Sequence, residues 1–166
     1  MIEKFITFLN GLPKEAVTLI LAALPISELR GAIPVALAMK QPLIKTLILA
    51  YIGNMLPVPL LLVLLEPISN VLRRIPIWRR FFDWLFESTK KKAGLVARYE
   101  AIGLMLFVAV PLPATGAWTG CVAASLFKIK FRYAFMAIFL GVVIAGIVVT
   151  LLTLIGIKLI DTSFIL

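Results

Sequence analysis

The sequence predicts an all-α integral membrane protein built as an inverted repeat. Two re-entrant helical hairpins are each followed by a transmembrane helix, and an interfacial amphipathic helix lies between the halves. Three observations predict this. Hydrophobic residues make up 62% of the 166 residues, charged residues only 15%, and mean hydropathy is +1.09; soluble domains run nearer roughly 45–50% and 25%. A chain of this size cannot hide so much apolar surface from water, so part of its solvent is lipid. Interrupted apolar segments alternate with clean ones, and basic residues gather in the middle of the chain. The length suits one membrane domain over 1–166.

Residues 1–15 mix Glu3, Lys4, Lys14 and Glu15 with Phe5, Ile6, Phe8 and Leu9. This reads as a short interfacial segment; it lacks the basic n-region and long apolar core of a signal peptide. Residues 16–39 are apolar but contain Pro25, Glu28, Arg30, Gly31 and Pro34. An internal proline costs about 3 kcal/mol, and a charge at the bilayer centre at least about 2.5 kcal/mol. Irregular backbone at membrane depth is tolerated only against protein or water. A helix–break–helix hairpin entering and leaving on one side meets that condition; the competing reading is a kinked full crossing.

Residues 43–65 form a clean span of about 34 Å against a hydrocarbon core of about 30 Å. Asn54, Pro57 and Pro59 bend it. In residues 66–98, eight Arg and Lys stand against Glu66, Asp83 and Glu87, so this segment is expected in the cytoplasm. From Ile77 onward its aromatic and aliphatic residues fall on one half of a helical wheel and its charges on the other. Such a helix lies in the headgroup plane, as a topology anchor or a site for anionic lipid. Residues 101–127 repeat the interrupted pattern, with Pro111, Pro113, Gly116 and Gly120, and 133–157 form the second clean span. If both interrupted segments re-enter, Lys128, Lys130 and Arg132 join the basic segment on the cytoplasmic side, and both termini lie on the other.

A shift of 88 residues places Leu24-Pro25 on Leu112-Pro113, Lys40 on Lys128 and Gly53 on Gly141. With re-entrant hairpins the two halves run in opposite orientation, the plan of many secondary transporters, with a site near mid-membrane between the repeats.

The formal charge of +9 comes from 17 Lys and Arg against 8 Asp and Glu. No interleaved aromatic and basic motif points to nucleic acid, so the charge is read as orienting loops. There is no histidine, and Cys121 stands alone, which excludes His-based catalysis, HExxH zinc sites and an internal disulfide. Dinucleotide and P-loop glycine motifs are absent. No catalytic residue, metal or cofactor is expected.

Glu28 and Arg30 are the sharpest features. Burial favours the protonated form of a carboxylate, which suits a proton-coupled carrier. A guanidinium offers a planar fork of donors for phosphate or carboxylate. The bland reading is a structural ion pair. In the run Pro111–Gly120, Thr115 and Thr119 can line a polar cavity, and Trp118 serves as a gate or as an interfacial anchor. Arg98 and Glu100 stand at the entrance to the second hairpin, residues 101–127. Asn54 reads as a packing hydrogen bond or a ligand contact.

The runs ALPISELRGAIPVALAM and FVAVPLPATGAWTGCVAASL, with the basic amphipathic stretch between them, resemble the prokaryotic small multi-drug export protein family over nearly the whole chain. That family is similar in plan to the DedA/VTT superfamily, with its paired re-entrant hairpins. The resemblance implies a bacterial or archaeal inner-membrane protein whose site is lined by Glu28 and Arg30, flanked by Pro25 and Pro34, and by the 111–120 loop. Three functions follow as expectations. They are a small proton-coupled secondary transporter, a translocase of phospholipid or polyprenyl-phosphate type, and a non-transporting assembly protein. Cationic substrates would need Glu28, and a phosphorylated lipid Arg30 and Arg98. Expected partners are membrane lipids, the substrate and, with only two full spans, a second copy of the chain.

Overall fold

The computed structural model describes residues 12–72, 83, 87, 94–111 and 115–163, without the side chains of 66–72, 94–98 and 160–163. The described residues form helices and no strand. In chain order these are α1 (Lys14–Ala23), α2 (Glu28–Ala38), α3 (Leu43–Met55), α4 (Val58–Leu72), α5 (Gly94–Ala109), α6 (Ala117–Leu126) and α7 (Phe131–Ser163). They pack as two compact units: the residues up to Asn54 with those from Gly146 onward, and Met55–Ala145.

In the first unit, α1 is built of good helix formers and stops at Pro25. A proline disfavours the helical conformation of the residue before it, and Leu24 is extended, at φ −75° and ψ 139°. The turn is held by the Ser27 hydroxyl donating to the Leu21 carbonyl, and α2 begins at Glu28. The two helices run antiparallel. The Lys14 ammonium at the start of α1 donates to the Met39 carbonyl at the end of α2 (2.6 Å), and the Thr18 hydroxyl donates to Gln41 Oε1 (2.7 Å). Ten and eleven residues reach only about 15 Å each, half a bilayer core. The expected hairpin is therefore present as a fold. The expected break is placed differently from the sequence reading, because Pro34 lies inside α2. Its fixed φ suits a helix and it removes only one amide donor, while Leu29, Ala32, Ile33 and Ala36 bury the same helix. Packing outweighs the single lost bond.

Helix α3 shows a one-sided pattern. Thr46, Ala50, Gly53 and Asn54 are buried, while Ile44, Ile48 and Ile52 are exposed, the stripe spacing of a helix with one packed face. Its first turn is tied to α1 by Lys45 and Glu15 (2.5 Å). A turn at Leu56–Pro57 interrupts the helix before α4, the bend expected from Pro57. Together, Leu43–Leu65 is long and apolar enough to cross a membrane, as is Phe131–Leu159. Both helices run past the expected ends: α4 continues to Leu72 and α7 covers Phe131–Ser163. Most of the amphipathic segment expected within 66–98, the interfacial residues 1–11, and Leu112, Pro113 and Ala114 lie outside the described residues.

The second unit repeats the local geometry of the first. Helix α5 is sharply kinked at Glu100 (φ 44°, ψ −115°), so its hairpin arm begins at Ala101, as expected. The chain leaves that arm at Val110, and Gly116 adopts φ 147° before α6 starts. The end of α2 and the end of α6 are closed alike. Lys40 and Lys128 both adopt left-handed φ, 57° and 51°. Their amides bond the Leu37 and Ser125 carbonyls, and the next amides, of Gln41 and Ile129, bond the Ala36 and Ala124 carbonyls. This is the C-terminal capping motif normally closed by glycine, and each bond recurs 88 residues on. Each following helix meets the first arm of its hairpin at a glycine: Gly53 beside Leu19 and Ala22, and Gly141 beside Met105 and Val108.

Candidate functional site

The first hairpin positions Glu28 where its turn ends. Glu28 is only 6% exposed and takes φ 47°, a conformation an ordinary side chain rarely holds. The neighbouring turn fixes it: its amide bonds the Leu24 carbonyl (3.0 Å) and the Gly31 amide bonds the Ser27 carbonyl (2.8 Å). Leu29, Ala32 and Ile33 pack behind it, all at 1% exposure or less. Arg30, half-buried, lies close enough for the Glu28 carboxylate to act on its charge. The two thus interact although residues two apart do not face each other on a regular helix; the irregular start of α2 allows it. Pro25 is exposed on the turn and Pro34 half-buried on α2. Asn54 is buried on α3. The residues expected from the first segment thus share the first unit.

Residues expected from the second segment belong to the second unit. The Thr115 hydroxyl donates to the Val110 carbonyl across the break (2.8 Å), and Thr119 to the Gly116 carbonyl (3.3 Å). Both hydroxyls therefore close the loop's own backbone. Trp118 and Pro111 are half-buried. Pro113 lies outside the described residues, and of Arg98 only the helical backbone is described. Glu100 stands at the kink where the arm of the second hairpin begins and borders a cavity of about 390 Å³ at the hairpin mouth, shared with Phe127, Lys128, Ile129, Lys130 and Tyr133. In the sequence these lysines stand out as topology signals and, at Lys128, as a marker of the repeat.

Thr18, Gln41 and Thr46 are not among the expected site residues. All three are buried, and among the described residues Gln41 Nε2, Thr46 Oγ1 and Asn54 Oδ1 make no hydrogen bond. The available signal was a polar residue at a core position of each apolar stripe: Thr18 beside Val17 and Ala22, and Thr46 in line with Ala50 and Gly53. At the unit's edge, Glu15 is held below the usual carboxylate range by its hydrogen bond to Lys45, then by a backbone hydrogen bond and the charge of Lys45.

Among the described residues no group of three His, Cys, Asp or Glu is placed to hold a metal ion. The arrangement sets one enclosed carboxylate near a guanidinium at the tip of a short hairpin. Residues 28–148 match the sequence profile of a family described as small multi-drug export proteins. No curated protein and no solved structure gives a significant match.

Proposed function

Because the chain belongs to the small multi-drug export protein family, we propose that it is a small secondary membrane transporter whose substrate movement is coupled to protons at Glu28. The observation that carries this reading is the enclosure of Glu28, 6% exposed beside Arg30 at a hairpin tip, in a chain with two membrane-length apolar helices. A carboxylate in that setting exchanges a proton at a cost that a nearby cation and the substrate both modulate. In this reading both hairpins re-enter the bilayer, the halves form an inverted repeat, residues 66–98 face the cytoplasm of a prokaryotic cell, and two copies assemble. The capping bonds repeated 88 residues apart, with Gly53 and Gly141 at the same spacing, support the duplication. A reporter fused after Leu166 is expected outside the cytoplasm.

Reconstituted vesicles under a pH gradient test the function. Cationic-dye flux is expected in the wild type and is abolished by Glu28→Gln; full flux in that variant removes Glu28 from the mechanism. A second reading, a lipid translocase of the DedA/VTT plan, is favoured by the cavity where Lys128 and Lys130 stand with Glu100, charges suited to a headgroup. In that case fluorescent-lipid movement replaces dye movement and Arg30→Ala is the more damaging change. Absence of any flux favours an assembly role.

A further inference from the structure

We propose that the core of the first unit carries a polar track that admits water, and with it protons, from the mouth of the first hairpin to Glu28. Its lining groups are Thr18, Gln41, Thr46 and Asn54. The inference takes its purpose from the reading of Glu28 as a proton carrier, but its existence is argued and tested separately.

Three enclosed atoms in this one unit, Gln41 Nε2, Thr46 Oγ1 and Asn54 Oδ1, make no hydrogen bond among the described residues. Native cores satisfy nearly all such atoms, and hydrocarbon on the outer side supplies no replacement partner. They also lie in order rather than at random. Thr46 and Asn54 are eight residues apart on the buried stripe of α3, about 12 Å along its axis. That stripe faces the hairpin, because Gly53 sits against Leu19 and Ala22 of α1.

The lower end of the line is the hairpin mouth. There the Thr18 hydroxyl donates to Gln41 Oε1, and the bond between Glu15 and Lys45 sets the first turns of α1 and α3 side by side. The upper end is Asn54, next to Gly53 and so level with Ala22, about one turn below the break that leads to Glu28. Between the ends the stripe carries Ala50 and Gly53, and Gly53 packs directly on the Leu19 carbonyl and Ala22, so water passes that level only when α3 parts from α1. A buried water needs two to four polar partners, and these groups supply free donors and acceptors at both ends.

Silver ions, small, soluble and thiol-specific, are the probe. Cys121 is the single cysteine, so Cys121→Ser gives a thiol-free background. Into it are placed Thr46→Cys, Asn54→Cys and, on the exposed apolar flank of α3, Ile52→Cys (51% exposed). Each protein in vesicles is treated with silver on both faces, denatured, and its remaining thiol counted with a fluorescent maleimide. Thr46→Cys and Asn54→Cys are expected to be blocked at least tenfold faster than Ile52→Cys; rates equal to that of Ile52→Cys overturn the track. If neither cysteine variant assembles, Thr46→Val is compared with Thr46→Ser in the proton-flux assay. Valine is expected to cut Glu28-dependent flux at least fivefold while serine retains it, and equal flux in both overturns the track. Fast silver block together with full flux in Glu28→Gln removes the proton reading and leaves the track standing.

Discussion

Substituting alanine at Gly53 tests how the first unit is assembled. A Cβ there would lie 2.5 Å from the Leu19 carbonyl oxygen and 2.9 Å from the Ala22 Cβ. Carbon contacts are comfortable at about 3.5–4.0 Å, so α3 must retreat from α1 by about 1 Å. The obstacle is backbone, which no rotamer change relieves. Overpacking of this kind costs about 1–3 kcal/mol, against a gain of up to about 1 kcal/mol from replacing a helical glycine. The net expectation is a loss of about 1–2 kcal/mol. Gly156 is the control, because nothing lies within 4 Å of its added Cβ; there only the propensity gain applies, and stability is expected to hold or rise. The measurement is unfolding of purified protein in mixed micelles by SDS titration, followed by far-UV circular dichroism. If Gly53→Ala proves as stable as Gly156→Ala, the close approach of α3 to α1 is wrong, and the direction assigned to the stripe of Thr46 and Asn54 falls with it.

Four further outcomes are expected. Gly116→Ala forces φ 147° and ψ −167° on a side chain that avoids them, a loss of about 1–3 kcal/mol, read as a lower melting temperature in detergent; an unchanged melt refutes the strained loop. Glu15 has a folded pKa below its ordinary value of 4.5, chiefly through its hydrogen bond to Lys45. Its contribution is therefore present at neutral pH and fades as pH drops below 4.5 through the folded value. The wild type is expected to lose its advantage over Glu15→Gln between pH 6 and pH 3, and a gap that stays constant with pH contradicts the bond. Glu28→Gln is expected to stop proton-coupled flux in vesicles, and Thr46→Val to slow it at least fivefold where Thr46→Ser does not.

Composition and pattern alone determined the solvent, the helical class and the order of elements. Apolar runs of span length announce themselves because every residue along them must tolerate lipid. Pro25 marked the first break because a proline constrains the residue before it whatever its neighbours do, and Lys40 and Lys128 suggested the repeat by falling at the same distance after Pro25 and Pro113. Other features depended on packing between segments distant in sequence. Pro34 stays helical because the face around it is buried against α1, a gain no local rule registers. Thr115 and Thr119, legible as cavity-lining hydroxyls, turn back to carbonyls of their own loop because the break leaves those acceptors within reach. Gln41 and Thr46 look like ordinary polar residues at segment ends; only the antiparallel closure of α1 on α2, with α3 laid against them, encloses their side chains. A local signal is carried by the chain itself, whereas enclosure is a property of whichever surfaces meet, and that is decided when the helices pack.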